Sequence, residues 1–193
     1  MIPSFAWRTS ALLAVGLGAA AQTPTPTQTA APAQGPARTT GCLSSGDGYL
    51  RANLGGAVEA HLDWPNSGTQ CEGESRDSPP GVRLSFRRVK SNPDLLLVFG
   101  LTGVQPGQPG REIAVNVTVI VQGTSQIYGT LGDSRCTVDR LEQRPLAGAG
   151  TYRIEARGFC TQPAHAVRGS GDVLVSTFEF AGPVMYLADT AQE

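Results

Sequence analysis

The side chains of this chain that could do chemistry are four cysteines, two histidines, sixteen acids and a short run of cations. Their spacing narrows what that chemistry can be. No two of Cys42, Cys71, Cys136 and Cys160 lie within twenty residues of each other. Zinc sites draw on C-x-x-C or Cys/His clusters, and thioredoxin-like redox sites need C-x-x-C, so neither chemistry has its spacing here. An even number of cysteines in a chain with an export signal reads instead as two disulfides, with three connectivities open in principle. The sequential pairing, Cys42–Cys71 and Cys136–Cys160, needs the least rearrangement if each pair closes a local hairpin. Each closed loop then holds about 25–30 residues, worth roughly 3–4 kcal/mol in the chain-entropy model.

The other candidates are thinner. His61 and Asp63 in "HLD" share one face of a strand, which supplies two metal ligands at most. Ser170, His165 and Asp172 have the residue types of a catalytic triad, but residues this close in sequence rarely reach triad geometry, and no G-x-S-x-G elbow is present. Asp63, Glu72, Glu74, Asp133, Glu155 and Glu179 are the acids from which a carboxylate pair would be drawn. Arg83, Arg87, Arg88 and Lys90 form the one notable basic cluster, a candidate patch for an anionic ligand. Arg83 and Arg87 would share a strand face about 13–14 Å apart. The same row would also serve simply to keep a sheet soluble and its edge unpaired. Trp64 reads as the rim of a core, and the "NVT" sequon at 116–118 falls inside a strand pattern. These residues give no catalytic, cofactor or metal assignment.

The elements that must position these residues are strands. "REIAVNVTVIVQG" places Ile113, Val115, Val117, Val119 and Val121 on one face with period two, and "GVRLSFRRVK" does the same with Val82, Leu84 and Phe86. "DVLVSTFEFAG" sets Leu174, Phe178 and Phe180 on one side and Val173, Val175 and Glu179 on the other. "DLLLVFGLTG" is a continuous apolar run suited to a central strand covered on both faces. Turn chemistry separates these runs, as in "WPNSG", "SPPG" and "QPGQPG". Strands are expected near 48–54, 57–63, 82–89, 94–101, 112–121, 126–131, 135–142, 151–158, 172–181 and 184–187. About nine or ten strands without intervening helices imply an antiparallel β-sandwich or jelly roll, disulfide-stapled, with a closed β-barrel as the alternative.

The segment from Cys136 to Cys160 carries a finer expectation. Facing the two cysteines puts Val138 opposite Gly158. An uninterrupted ladder would then bring Arg140 and Glu142 onto the apolar face, with Leu141 one residue out of phase. A β-bulge near Asp139–Leu141 would return Leu141 to the inner face.

Composition bounds the rest. The 193 residues suit one domain, and 15 basic against 16 acidic side chains lack the excess of a nucleic-acid binder. Arg8, an apolar stretch over 9–18 and Ala19-Ala20-Ala21 read as a signal peptide over 1–21, cleaved near Ala21, with the apolar run too short to span a membrane. Residues 22–40, rich in Pro, Thr and Ala, read as a solvated linker, and 41–190 as a single β domain. The mature chain is therefore expected in the periplasm or outside the cell, without a transmembrane segment.

The stretches "CEGESRDSPPGVRLSF", "VNVTVI", "RCTVDRL", "ARGFCTQPA" and "FEFAG" together resemble a family of exported β-rich proteins of gammaproteobacteria to which no activity is assigned. The resemblance covers about 42–187. It implies compartment and domain extent and brings no functional residues. Two functions follow as expectations. One is a non-catalytic binding or structural module of the cell envelope, with an unidentified envelope or extracellular partner and no cofactor. The other is a small secreted hydrolase or isomerase in which at least two of the six acids converge in one pocket.

Overall fold

The computed structural model of the chain describes residues 41–187 except 89, 133 and 134. The signal peptide and linker expected over 1–40 lie outside the described residues, as does Asp133. The described residues form eleven strands: β1 (Tyr49–Gly56), β2 (Ala60–Pro65), β3 (Thr69–Asp77), β4 (Pro80–Arg88), β5 (Leu95–Thr102), β6 (Ile113–Val121), β7 (Ile127–Gly129), β8 (Cys136–Pro145), β9 (Thr151–Cys160), β10 (Ala164–Arg168) and β11 (Asp172–Met185). One layer runs β2–β1–β11–β9–β8 and the other β3–β4–β5–β6–β7–β10. Pairings at the corners, such as β6 with β8 and β10 with β11, join the layers into one sheet folded over on itself. All pairings are antiparallel except the bridge between Met185 and Glu74. The space between the layers is filled, so the architecture is the sandwich. Phe86 and Phe99 from one layer meet Phe178 and Phe180 from the other, with centroids 4.7 Å apart for Phe99–Phe180 and 5.3 Å for Phe86–Phe180.

Inner positions follow the period-two reading where it was strongest. Val115, Val117 and Val119 of β6 are fully buried, as are Val82, Leu84 and Phe86 of β4. Both disulfides form as expected, Cys42–Cys71 and Cys136–Cys160, and Cys136 stands directly across from Cys160. The bulge is also present. The register steps from Val138↔Gly158 to Arg140↔Arg157, which leaves Asp139 as the extra residue and brings Leu141, 1% exposed, opposite Ala156.

Four expectations need correction. β11 carries a second bulge: Asn53 pairs with Thr177 and Leu54 with Val175, so Ser176 is extra. Val173 and Val175 are therefore buried together with Phe178 and Phe180, and Leu174 faces out. A second point is that β11 runs unbroken to Met185, where Gly182-Pro183 had suggested a break. Gly182 sits under the Phe86 ring, and an added Cβ would lie 3.0 Å from its Cζ, so only glycine leaves the ring its place. The strand count also rises, because β3 and β10 were not among the expected strands. β3 alternates only between exposed polar residues and small inward ones, Thr69, Cys71, Gly73 and Ser75, which carry no apolar signal. β10 is five residues long and lies in what reads as a loop. Last, β5 has the opposite layer against one face only. Leu95, Leu97, Phe99 and Leu101 are fully buried against it, while on the other face Val98 is 8% exposed and Leu96, Gly100 and Thr102 are half-buried without a further layer among the described strands.

Candidate functional site

Inward apolar residues in one layer force its polar residues onto the outer face, and register then decides which of them meet. Across β2, β1, β11, β9 and β8, the residues Asp63, Arg51, Glu179, Arg157 and Arg140 stand in one row. The next row holds Tyr49, Ala181, Glu155 and Glu142. The extra residue of the β8 bulge keeps both Arg140 and Glu142 outward. The outcome is a five-strand face that carries both signs of charge, with an arginine pair and a glutamate pair side by side on β8 and β9.

Its groups are tied to one another. The Tyr49 hydroxyl donates to Glu179 Oε1 at 2.9 Å and also approaches Glu155 Oε1 at 3.3 Å, so one hydroxyl bridges two acids. Arg51 packs over the Tyr49 ring, 4.9 Å from its centroid, and reaches Asp63 at 3.2 Å and Glu179 at 3.8 Å. Arg153 sits 2.6 Å from Glu155 and 2.8 Å from Asp47, with its side chain only 11% exposed. Arg140 pairs with Glu142. Arg157 makes no ion pair or hydrogen bond among the described residues. With Arg140, Glu142, Glu155, Ala156 and Glu179 it lines a shallow open depression.

Titration follows these contacts. Burial, together with the two acids that it bridges, raises the Tyr49 hydroxyl far above the usual tyrosine range. The hydrogen bond from Arg140 holds Glu142 below the ordinary carboxylate value. The hydrogen bond from Ser45, reinforced by Arg153, lowers Asp47 in the same way. Burial works against the charged form of Arg153, yet Glu155 and Asp47 outweigh it and raise its pKa.

Of the six acids singled out from the sequence, Glu155 and Glu179 converge on Tyr49, and Asp63 joins them through Arg51. Glu72 and Glu74 lie on the other layer, where they share a separate depression with Arg83 and Ser85. His61 and Asp63 do share an outward face, but His61 binds Asn53 while Asp63 binds Arg51. No group of three metal-ligating side chains occurs among the described residues. His165 and Asp172 face each other across β10 and β11, with Nδ1 at 2.8 Å from Oδ1. The triad does not form, because His165 Nε2, the atom that would serve a serine, accepts from Arg135 at 2.9 Å. Arg83 and Arg87 share the outward face of β4, as the alternation of that strand implies, and the cluster's cations are engaged one by one. Arg87 pairs with Asp94 at 2.9 Å, Arg88 reaches the Asp63 carbonyl at 3.4 Å, and Arg83 stands across from Glu74. Lys90 lies beyond the end of β4, in the turn, with φ 63°. Trp64, 4% exposed, belongs to the core.

Sequence reasoning passed over Tyr49, Arg51, Arg153 and Arg157. The only local signal was the polar alternation of "YLRANLGG", and the residues that Tyr49 bridges are more than a hundred positions away. Comparison with protein-family models, curated proteins and solved structures finds no match for this chain. The two disulfides fit an exported protein, and no helix among the described residues is long and apolar enough to cross a membrane.

Proposed function

We propose that the chain is exported to the periplasm or beyond, with cleavage near Ala21, and that its β domain is a non-catalytic binding or structural module of the cell envelope. The observation that carries this reading is the outer face of β1, β11, β9 and β8. Its acids are already engaged by arginines and by Tyr49, so the face is ordered before a ligand arrives, and little side-chain entropy is lost on binding. Arg157 is left free at its centre, a planar donor suited to a carboxylate or phosphate. The surrounding acids suit hydroxyl or amino groups on the same ligand. An anionic envelope glycan has that combination.

The test is cosedimentation of the disulfide-intact chain with isolated envelope polysaccharide at low and high salt. Arg157→Ala should weaken retention about tenfold, the size expected for loss of a charge-assisted contact. Retention unchanged in that variant, or absent in the unmodified chain, would remove the proposal. A second reading, a carboxylate-dependent hydrolase, is favoured by the convergence of Glu155 and Glu179 on one hydroxyl. It requires glycan cleavage that disappears in both Glu155→Gln and Glu179→Gln.

A further inference from the structure

The segment that leads into β6 closes onto β8 and brings a further cation to the charged face. Gly110 and Leu141 exchange both backbone hydrogen bonds, at 3.0 and 2.9 Å, and Ile113 and Ala114 pair with Val138 and Thr137. One register therefore runs through the segment, with Arg111 beside Arg140 and Glu112 beside Asp139. A side chain on Gly110 would meet those of Ile113 and Leu141, so Gly110 and Ile113 both turn inward and leave Arg111 and Glu112 exposed between them. Arg140 in turn stands across from Arg157. Three exposed arginines thus form one row over three adjacent stretches of chain, about 10 Å from end to end at the usual strand spacing.

Like charges placed directly across a ladder repel, and this row keeps much of its hydrogen-bonding capacity unused. The side chains of Arg111 and Arg157 make no ion pair or hydrogen bond among the described residues, and Arg140 commits only Nε and Nη2, both to Glu142 Oε1. The row is also fixed in place. The Gln143 amide donates to the Gln105 and Gln108 carbonyls, at 2.6 and 2.8 Å, and anchors to β8 the loop that carries Arg111.

Acids stand on both sides of the row, Glu112 and Asp139 on one and Glu142 and Glu155 on the other. That pattern selects the ligand. A carboxylate has two oxygens and is saturated by one guanidinium fork. A phosphoryl group has three terminal oxygens and a charge of about −1.5 to −2, so it bridges neighbouring forks. A polyphosphate, a nucleic acid or an anionic lipid surface would press further phosphates against the flanking acids, which is unfavourable. Sugar hydroxyls on either side of a single phosphoryl group would instead donate to those acids. We propose that Arg111, Arg140 and Arg157 together bind the phosphoryl group of a phosphorylated sugar. This rests on the glycan-binding reading above and narrows it from any anionic glycan to a phosphorylated one.

NMR titration of the isotope-labelled, disulfide-intact chain, followed at the arginine Nε–H signals, tests the proposal. The probes are glucose 6-phosphate and glucuronate, hexoses that differ in the anionic group. Glucose 6-phosphate should shift the signals of all three arginines and bind about tenfold or more tightly than glucuronate. Arg111→Ala and Arg157→Ala should each weaken its binding about tenfold, the effect of losing a charge-assisted contact. Arg144→Ala, which removes a cation outside the row, should leave both affinities unchanged. Inorganic phosphate should bind more weakly than glucose 6-phosphate, because it brings no sugar hydroxyls to the acids. Equal affinity for the two sugars, full affinity in Arg111→Ala, or inorganic phosphate bound as tightly as the sugar phosphate overturns the proposal. So does a chain that sediments with phosphatidate vesicles but does not bind glucose 6-phosphate. Polysaccharide retention that falls in Arg157→Ala, combined with equal affinity for the two sugars, overturns this proposal alone. Retention absent in the unmodified chain removes the glycan reading beneath it as well.

Discussion

Gly158 concentrates the packing logic of the sandwich in one position. It pairs with Phe178 on one side and Val138 on the other, immediately before the β8 bulge. A methyl group there would lie 2.7 Å from the Phe178 ring and 2.9 Å from the Val138 Cα, and closer still to the Thr137 carbonyl oxygen. Two of these three neighbours are backbone atoms of a strand pinned by the Cys136–Cys160 disulfide. The third is a ring packed 5.1 Å from Phe99. None can yield without disturbing the core. Overpacking a core costs about 1–3 kcal/mol, and a clash with paired backbone belongs at or above the upper end, so Gly158→Ala should destabilise by about 3 kcal/mol. For a folded unit of this size, that lowers the melting temperature by roughly 6–12 °C. Gly55 on β1 is the matched control. An added Cβ meets nothing within 4 Å there, and Gly55 is not among the glycines with positive φ. Gly55→Ala should be neutral, or stabilising by up to about 1 kcal/mol through the unfolded chain. Urea unfolding of both variants with disulfides intact measures the difference. If Gly158→Ala unfolds at the same urea concentration as Gly55→Ala, the close approach of β8 and Phe178 to Gly158 is not what holds glycine there.

Other expectations follow from particular contacts. Replacing Cys136 and Cys160 together by Ser, at a sequence separation of 24, should cost about 3 kcal/mol, seen as a lower urea midpoint that reductant no longer shifts by that amount. Gln143 donates to the Gln105 and Gln108 carbonyls and accepts from the Tyr186 hydroxyl, so Gln143→Ala should cost about 1–2 kcal/mol. Amide exchange across 103–112 should then speed up. Alkaline pH should destabilise the fold: burial raises the Tyr186 hydroxyl to about 12 and raises Tyr49 still further. A raised folded pKa contributes stability that is complete below the unfolded value near 10 and is lost as pH rises above it. Denaturant midpoints should hold from neutral pH to about 9 and fall beyond 10, with Tyr49→Phe falling less steeply.

The two bulges show how far local pattern reaches. In β8 the sequence sets charges where a regular ladder needs apolar residues, so the phase error is visible, and its cure buries Leu141. In β11 both phases of "DVLVSTFEFAG" carry apolar residues, and only pairing with β1 determines that Ser176 is extra and Leu174 faces out. β3 was silent for a related reason. Its inward residues are small because Gly73 lies against the Pro183 carbonyl, a contact made more than a hundred positions along the chain.

By itself the sequence determined what period two and cysteine spacing can encode. That comprises an all-strand domain, the inward faces of β4 and β6, two disulfides in sequential pairing, and a break in phase near Asp139–Leu141. Alternation is a property of neighbouring residues, and it survives in any sheet whose one face is buried. The tertiary structure alone decided which outward residues become neighbours. Tyr49 meets Glu155 and Glu179, and His165 meets Arg135, because strands distant in sequence are brought side by side. A ladder adds position in the sheet to position in the chain, and the chemistry of both outer faces resides in that second coordinate.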